Sequence, residues 1–280
     1  MADILNLGLL LSSFAGGVFA AFIGALPAFI LSGVFMLMGA AIILGGGSPD
    51  VMNFLGIGPF FGPHIAWASA VAATAYAGKK GLIESGMEIK VPLGKLNRPS
   101  VLVVGGVFGV LAYLISSILT VVNSPFNPIA AAVFINLVVA RLAFGQTGLL
   151  GKPEGKKQIW PLQDTMASNI ILGLSVGMAT AYITNATGNV LIGFGISAVV
   201  LFYLQMGFEV PVTHHISFTA ALATLTTGNI FIGAAAGAVA AIIGEIVTNL
   251  FVKDGDTLID PWAGTIAVTS FILYFWPKVL

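Results

Sequence analysis

Apolar residues in this chain fall into ten long runs, at roughly 7–24, 26–45, 58–78, 101–122, 128–145, 166–184, 188–206, 211–228, 230–251 and 261–277. A helix needs about 20 apolar residues to cross the hydrocarbon core of a bilayer, and most of these runs come close. The breaks between them are sharp: GGGSPD (Gly45–Asp50), VNSPFNP (Val122–Pro128), TNATGN (Thr184–Asn189) and KDGDTLIDP (Lys253–Pro261) are clusters of the residues that end helices. Only the 79–100 and 145–164 connections are long and hydrophilic, and neither can form a soluble domain. The pattern predicts an all-α polytopic membrane protein of about ten transmembrane segments.

The runs also repeat. Segment one aligns with segment six at an offset of 160 (Gly17 with Gly177, Ala21 with Ala181), and segment three with segment eight at 151 (His64 with His215, Trp67 with Phe218). Segment four aligns with segment nine at 128 (Gly105 with Gly233, Gly109 with Gly237, Thr120 with Thr248). Segment five opens on Asn127-Pro128 and segment ten on Asp260-Pro261. Ala- and Gly-rich helices match one another easily, but four pairs in the same order with every change of offset in a loop predict two five-helix halves. The expected division is a first repeat over 1–145, a cytoplasmic connecting loop over 146–164 and a second repeat over 165–280.

Basic residues narrow the topology without fixing it. If all ten segments cross, Lys79, Lys80, Lys90, Lys95, Arg98, Arg141, Lys152, Lys156, Lys157 and Lys253 share one side, cytoplasmic by the positive-inside rule, and the halves are inverted copies. If segments three and eight dip in and return, Lys278 replaces Lys253, the count is unchanged and the halves are parallel. Inverted five-helix halves are favoured, because such repeats recur among transporters.

Composition agrees. Of 280 residues 58% are hydrophobic and 8% charged, with a mean hydropathy of +1.02, too few charges to cover a water-facing surface. Eleven Lys and Arg balance eleven Asp and Glu, so nothing points to nucleic acid. No cysteine is present, which removes disulfide and thiol chemistry. The first run lacks a basic leader and a small-residue cleavage site, and is expected to be a retained span. A multi-pass protein of the plasma (inner) membrane is expected, with the lipid bilayer as its main partner.

Candidate chemistry gathers in segments three and eight, the shortest and most interrupted. GIGPFFGPH and EVPVTHH put prolines just ahead of each helix, where they prevent the helix from continuing upstream. Irregular backbone at membrane depth survives only inside protein or beside a water-filled cavity, and interrupted segments at matching places in two halves mark transporter binding sites. His64 and His215, with His214 beside one of them, are therefore candidates to line a solute path; the competing reading is that each caps a helix end or sits at headgroup level. Glu245, mid-segment in AAIIGEIVTNLF with Asn249 one turn on, is a candidate proton or cation carrier, against a neutral Glu bonding across a helix interface. Asn136 and Glu209 complete the candidate path. Gly105, Gly109, Gly233 and Gly237 form two G-x-x-x-G pairs expected to bring segments four and nine together across the pseudo-twofold axis, within one chain or between subunits of a homo-oligomer. Trp160, Trp262, Tyr274 and Trp276 read as an interfacial aromatic belt.

No G-x-S-x-G, H-E-x-x-H, C-x-x-C or Walker-type loop occurs, and the histidines lack metal-ligand spacing, so no enzyme, metal or cofactor is expected. The expected function is a secondary transporter or facilitative permease for a small solute, coupled to a proton or cation if Glu245 carries one. A selective channel and a non-transporting accessory subunit remain alternatives.

Overall fold

A computed structural model describes residues 4–276, so Pro277, the expected end of the last segment, and Lys278, on which the parallel topology depends, lie outside the described residues. Among the described residues the chain is helical, without β-strands. The helices are α1 (Leu7–Ile23), α2 (Ala25–Leu44), α3 (Ala66–Lys79), α4 (Pro99–Val121), α5 (Pro128–Phe144), α6 (Gln163–Thr187), α7 (Leu191–Val200), α8 (Phe202–Gln205), α9 (His214–Thr227), α10 (Ile230–Phe251) and α11 (Pro261–Phe275). Four spans are long and apolar enough to cross a membrane: Ala25–Leu44, Pro99–Val121, Thr165–Thr187 and Ile230–Phe251.

Local chemistry sets the boundaries. Asn6, Asn127, Asn229 and Asp260 accept hydrogen bonds from backbone N–H groups in the first turns of α1, α5, α10 and α11, and Pro128 and Pro261 each follow their cap where no N–H is needed. Gly188 and Gly228 end α6 and α9 with φ of 67° and 66°, backbone that favours glycine. The two interrupted segments are shorter as helices than as apolar runs. Residues 57–65 fold as turns below a π-helical turn (Val51–Gly56), and α3 starts only at Ala66. The turn is pinned to α2 where the Ser32 hydroxyl donates to the Phe61 carbonyl at 2.7 Å. Segment eight is helical only from His214, and segment seven divides at Leu201 into α7 and α8.

Packing follows the same scheme twice. Helix α4 lies against α1, α3 and α5; α10 lies against α6, α9 and α11. Helices α2 and α7 pack on each other, as do α5 and α11. The G-x-x-x-G pairs correct one expectation, because each faces a helix on its own side of the bundle. A Cβ on Gly105 would come within 2.7 Å of the Gly17 carbonyl oxygen on α1, and one on Gly237 within 2.7 Å of the Gly173 carbonyl oxygen on α6. Bare backbone at these crossings lets the helices approach to main-chain contact.

One end of the bundle collects the basic loops. There the Lys79 ammonium donates to the Ala143 carbonyl (2.7 Å), the Gln205 amide donates to the Lys90 carbonyl (3.2 Å), and Lys157 pairs with Asp254 (2.9 Å). Gly86 and Thr257 form an isolated bridge at the same end. At the opposite end the Asn127 N–H donates to the Ser270 hydroxyl (2.8 Å). The distribution of side chains is inside-out: Phe231, Ile171, Leu142 and Val107 are exposed, while Ser13, Ser32, Thr74, Thr184 and Thr265 are buried. Several of the buried hydroxyls donate to the carbonyl four residues earlier on their own helix, as Ser13, Thr74 and Thr265 do.

Candidate functional site

A cavity of about 60 Å³ lies where the heads of α3, α9 and α11 approach one another. Its lining falls largely on positions that the sequence offsets pair: Pro63 with His214 and Trp67 with Phe218 at 151, then Asn127 with Asp260, Ala130 with Ala263 and Val133 with Ile266 at 133. The remaining wall is mostly aromatic and aliphatic, from Phe29 and Met36 of α2 and Leu191 and Phe194 of α7.

Two larger hollows flank it. One of about 370 Å³, lined by Asn6, His64, Ser116, Ser117 and Thr120, opens at the end away from the basic loops and shares Ile57 and Ile129 with the central cavity. The other, of about 140 Å³, is lined by Ile89, Val212, Thr248 and Leu258 near the basic loops and shares Phe29, Trp67, His214 and Asp260 with the centre. Sequence-paired positions line these hollows as well: Thr120 with Thr248, Pro128 with Pro261 and Ile129 with Trp262.

The polar groups of the centre come from places where paired positions differ. Asp260 is 3% exposed; its Oδ2 accepts from the Trp67 indole N–H at 2.8 Å, and its Oδ1 accepts from the N–H groups of Trp262 (2.8 Å) and Ala263 (3.2 Å). That bond ties the head of α11 to the head of α3. His214 is 5% exposed, wedged against Phe29 and Phe194 with ring centroids 4.9 and 5.2 Å away, and its Nδ1 has no hydrogen-bond partner.

A staple holds the 252–260 loop that delivers Asp260. Arg141, in the last turn of α5 and 1% exposed, donates to the Thr257 hydroxyl (3.0 Å), to the carbonyls of Leu149 (3.1 Å) and Phe251, and to the Thr257 carbonyl. Asp256 beside it accepts from the Gln146 N–H and the Thr147 hydroxyl at 2.6 and 2.7 Å. Burial pushes the Asp256 carboxyl up, but these hydrogen bonds and the Arg141 charge outweigh it and leave it below its ordinary value.

The remaining candidates separate. His64 lines the larger hollow with Ser116 and Thr120, and its Nδ1 is likewise unpartnered. His215 is not on the cavity wall: it stacks on Trp262 at 4.5 Å and 22° and lies over Gly244. Successive helix residues point about 100° apart, so only one of two adjacent histidines can face the centre. Glu245 is also away from the cavity, on the α6–α10 contact, where the Asn169 amide donates to it. The Asn249 amide donates to the Ile159 carbonyl (3.2 Å), Asn136 is buried with its amide donating to the Phe108 carbonyl (3.2 Å), and Glu209 is exposed on a loop. Among the described residues no three His, Asp or Glu side chains converge as a metal site would require. Trp262 departs from the expected aromatic belt, since its ring is inside against His215, whereas Trp160 and Tyr274 are exposed.

Sequence reasoning passed over Asp260 and Arg141 as site residues. The repeated Asn-Pro and Asp-Pro openings carried a signal for Asp260, because a cap that is charged in only one of two equivalent places is unusual in an apolar chain. Arg141 reads in sequence as one more charge of a basic loop.

The model of one protein family, described as a family of unknown function (DUF7973), matches residues 1–159 and, separately, residues 156–276. No curated protein and no solved structure matches the chain.

Proposed function

The chain belongs to DUF7973, a family of unknown function, and we propose that this member is an integral membrane secondary transporter or facilitative permease for a small solute, with its path running between two inverted five-helix halves. The observation that carries the reading is the placement of the central cavity: sequence-paired residues line it from both sides, and a hollow leads from it toward each end of the bundle. A site at the interface of two inverted repeats, with broken helices entering it, is the arrangement alternating access requires. A packing scheme that recurs in the same order supports the repeat. The apolar exterior supports lipid as its solvent. Because Glu245 lies off the cavity, it lends ion coupling no support, and facilitated passage is the simpler form of the proposal.

Topology and transport are tested separately. The chain has no cysteine, so single cysteines report without background. Inverted halves predict that cysteines replacing Ser48 and Thr226 are labelled from one side of the membrane, and those replacing Lys156 and Phe208 from the other. Halves with re-entrant third and eighth segments would put all four on one side.

For transport, purified protein in proteoliposomes is expected to accelerate entry of at least one small solute by stopped-flow light scattering. Ala130→Trp adds an indole where about 60 Å³ is free and should return that flux to the protein-free rate. Solute flux indifferent to Ala130→Trp, in protein that remains monodisperse, would sink the proposed path.

A further inference from the structure

We infer that the central cavity takes a neutral solute of roughly two to four heavy atoms that both accepts and donates hydrogen bonds, small amides being the type, held at the head of α9. The inference rests on the cavity being the solute site of the proposed permease.

The head of α9 is a buried helix start without a side-chain cap. Helices α1, α5, α10 and α11 are capped by side chains. At α3 the turns upstream close the first N–H groups: Ile65 and Ala66 donate to the Gly62 carbonyl at 2.8 and 2.9 Å, and Trp67 to the Pro63 carbonyl at 3.1 Å. At α9, Thr213 provides no side-chain cap, and the backbone N–H groups of His214, His215 and Ile216 have no acceptor among the described residues. All three residues are buried, and a helix start buried without partners is costly. The unpartnered His214 ring stands at this same end and forms wall for both the centre and the hollow beside it. An acceptor atom delivered through the cavity would meet the N–H and ring of His214, the residue of this turn that lines it.

Another part of the lining calls for a donor. Asp260 keeps lone pairs beyond the three bonds it accepts, and Asn127 lines the same space with an amide. The Asp260 charge is set against the start of α11, whose dipole it offsets, while the open end of α9 is a partial positive charge. An anion would meet the Asp260 carboxylate, and a cation would meet the head of α9. A neutral dipole satisfies both. Size and shape agree: a 150 Å³ apolar cavity holds benzene, so about 60 Å³ limits the solute to a molecule smaller than benzene, and the rings of Phe29, Trp67, Phe194 and Phe218 favour a flat one.

Formamide and urea are the probes, measured against formate, nitrate and methylammonium, by calorimetric binding to the detergent-purified protein and by flux into proteoliposomes. Formamide or urea should bind and cross, and His214→Phe, which keeps the ring contacts, should cut both binding and flux at least about tenfold, as loss of a buried hydrogen-bonding partner does. His214→Gln, which restores a donor and an acceptor, should recover part of the loss. His215→Phe, off the cavity, should change neither. If formate, nitrate or methylammonium crosses and Ala130→Trp stops it while the amides neither bind nor cross, the permease reading stands and this inference fails. Amides that bind through His214 without crossing leave the inference standing and overturn transport. No binding and no flux for any probe overturns both.

Discussion

Gly105→Leu is expected to prevent assembly of the α1–α4 pair, with little or no monodisperse protein recovered from detergent and any residue unfolding at a much lower temperature. A Cβ at this position already meets the Gly17 carbonyl oxygen at 2.7 Å and the Ala21 methyl at 2.8 Å, both closer than real contacts allow. Main chain cannot rotate aside as a long side chain can, so the helices must separate along their crossing. Overpacking a core costs about 1–3 kcal/mol where side chains can adjust, and a clash with backbone sits at or above the top of that range. Gly237→Leu should behave alike, since its Cβ would lie 2.7 Å from the Gly173 carbonyl oxygen and 2.9 Å from the Gly177 Cα. Val103→Leu on the exposed face of α4 provides the control and should be silent. Wild-type yield and thermal stability in Gly105→Leu would show that α1 and α4 do not touch through their backbones.

Arg141→Met is expected to lower stability by at least about 3 kcal/mol, read as a large fall in thermal unfolding temperature, and to open the 252–260 loop to protease at Lys253. Methionine keeps much of the apolar stem but leaves the carbonyls of Leu149, Phe251 and Thr257 without their donor. The Thr257 carbonyl and hydroxyl are buried and the Leu149 and Phe251 carbonyls partly exposed, and a buried group so abandoned costs about 1–3 kcal/mol. Lysine should rescue little, because one ammonium cannot address acceptors spread around a planar guanidinium. The loosened loop should also release Asp260 from Trp67, so Arg141→Met should lose solute flux even where it folds. Stability and protease resistance equal to wild type would mean that the loop is held by the Asp256 and Asp254 contacts alone.

Much of the helix plan was legible in the chain. Apolar runs mark where helices lie, and caps such as Asn127-Pro128 and Asp260-Pro261 mark where they begin, because those signals are local. The late start of α3 was only half visible: Pro59 and Pro63 forbid a regular helix upstream, yet hydropathy continues unbroken through the turns of 57–65. Direction around a helix was not legible. His214 and His215 are neighbours in sequence, and without the register of α9 the choice of which one faces the centre is arbitrary. Glu245 shows the same gap, since its depth in an apolar run was plain but not that it turns toward Asn169 on α6. Arg141 was misread for the opposite reason: a charge near a loop is ordinarily solvated, and only the fold reveals the acceptors gathered around it.

Asn127 and Asp260 hold equivalent places in the proposed halves, yet one is an amide and the other an acid. In the proposed permease, two halves with different caps would give a passage that is not the same read forwards and backwards. On the proposed path a solute entering beside Thr248 would meet the acid and the head of α9 before the centre, and one entering beside His64 would meet the amide and the acid only at the centre. Equilibrium across the membrane is untouched, because a passive path cannot create a gradient. The order of wells and barriers would be reversed, however, so inward and outward flux through the proposed path are expected to half-saturate at different concentrations. In the proposed permease, the amide-to-acid exchange at the centre would thus make the two directions of passage kinetically unequal.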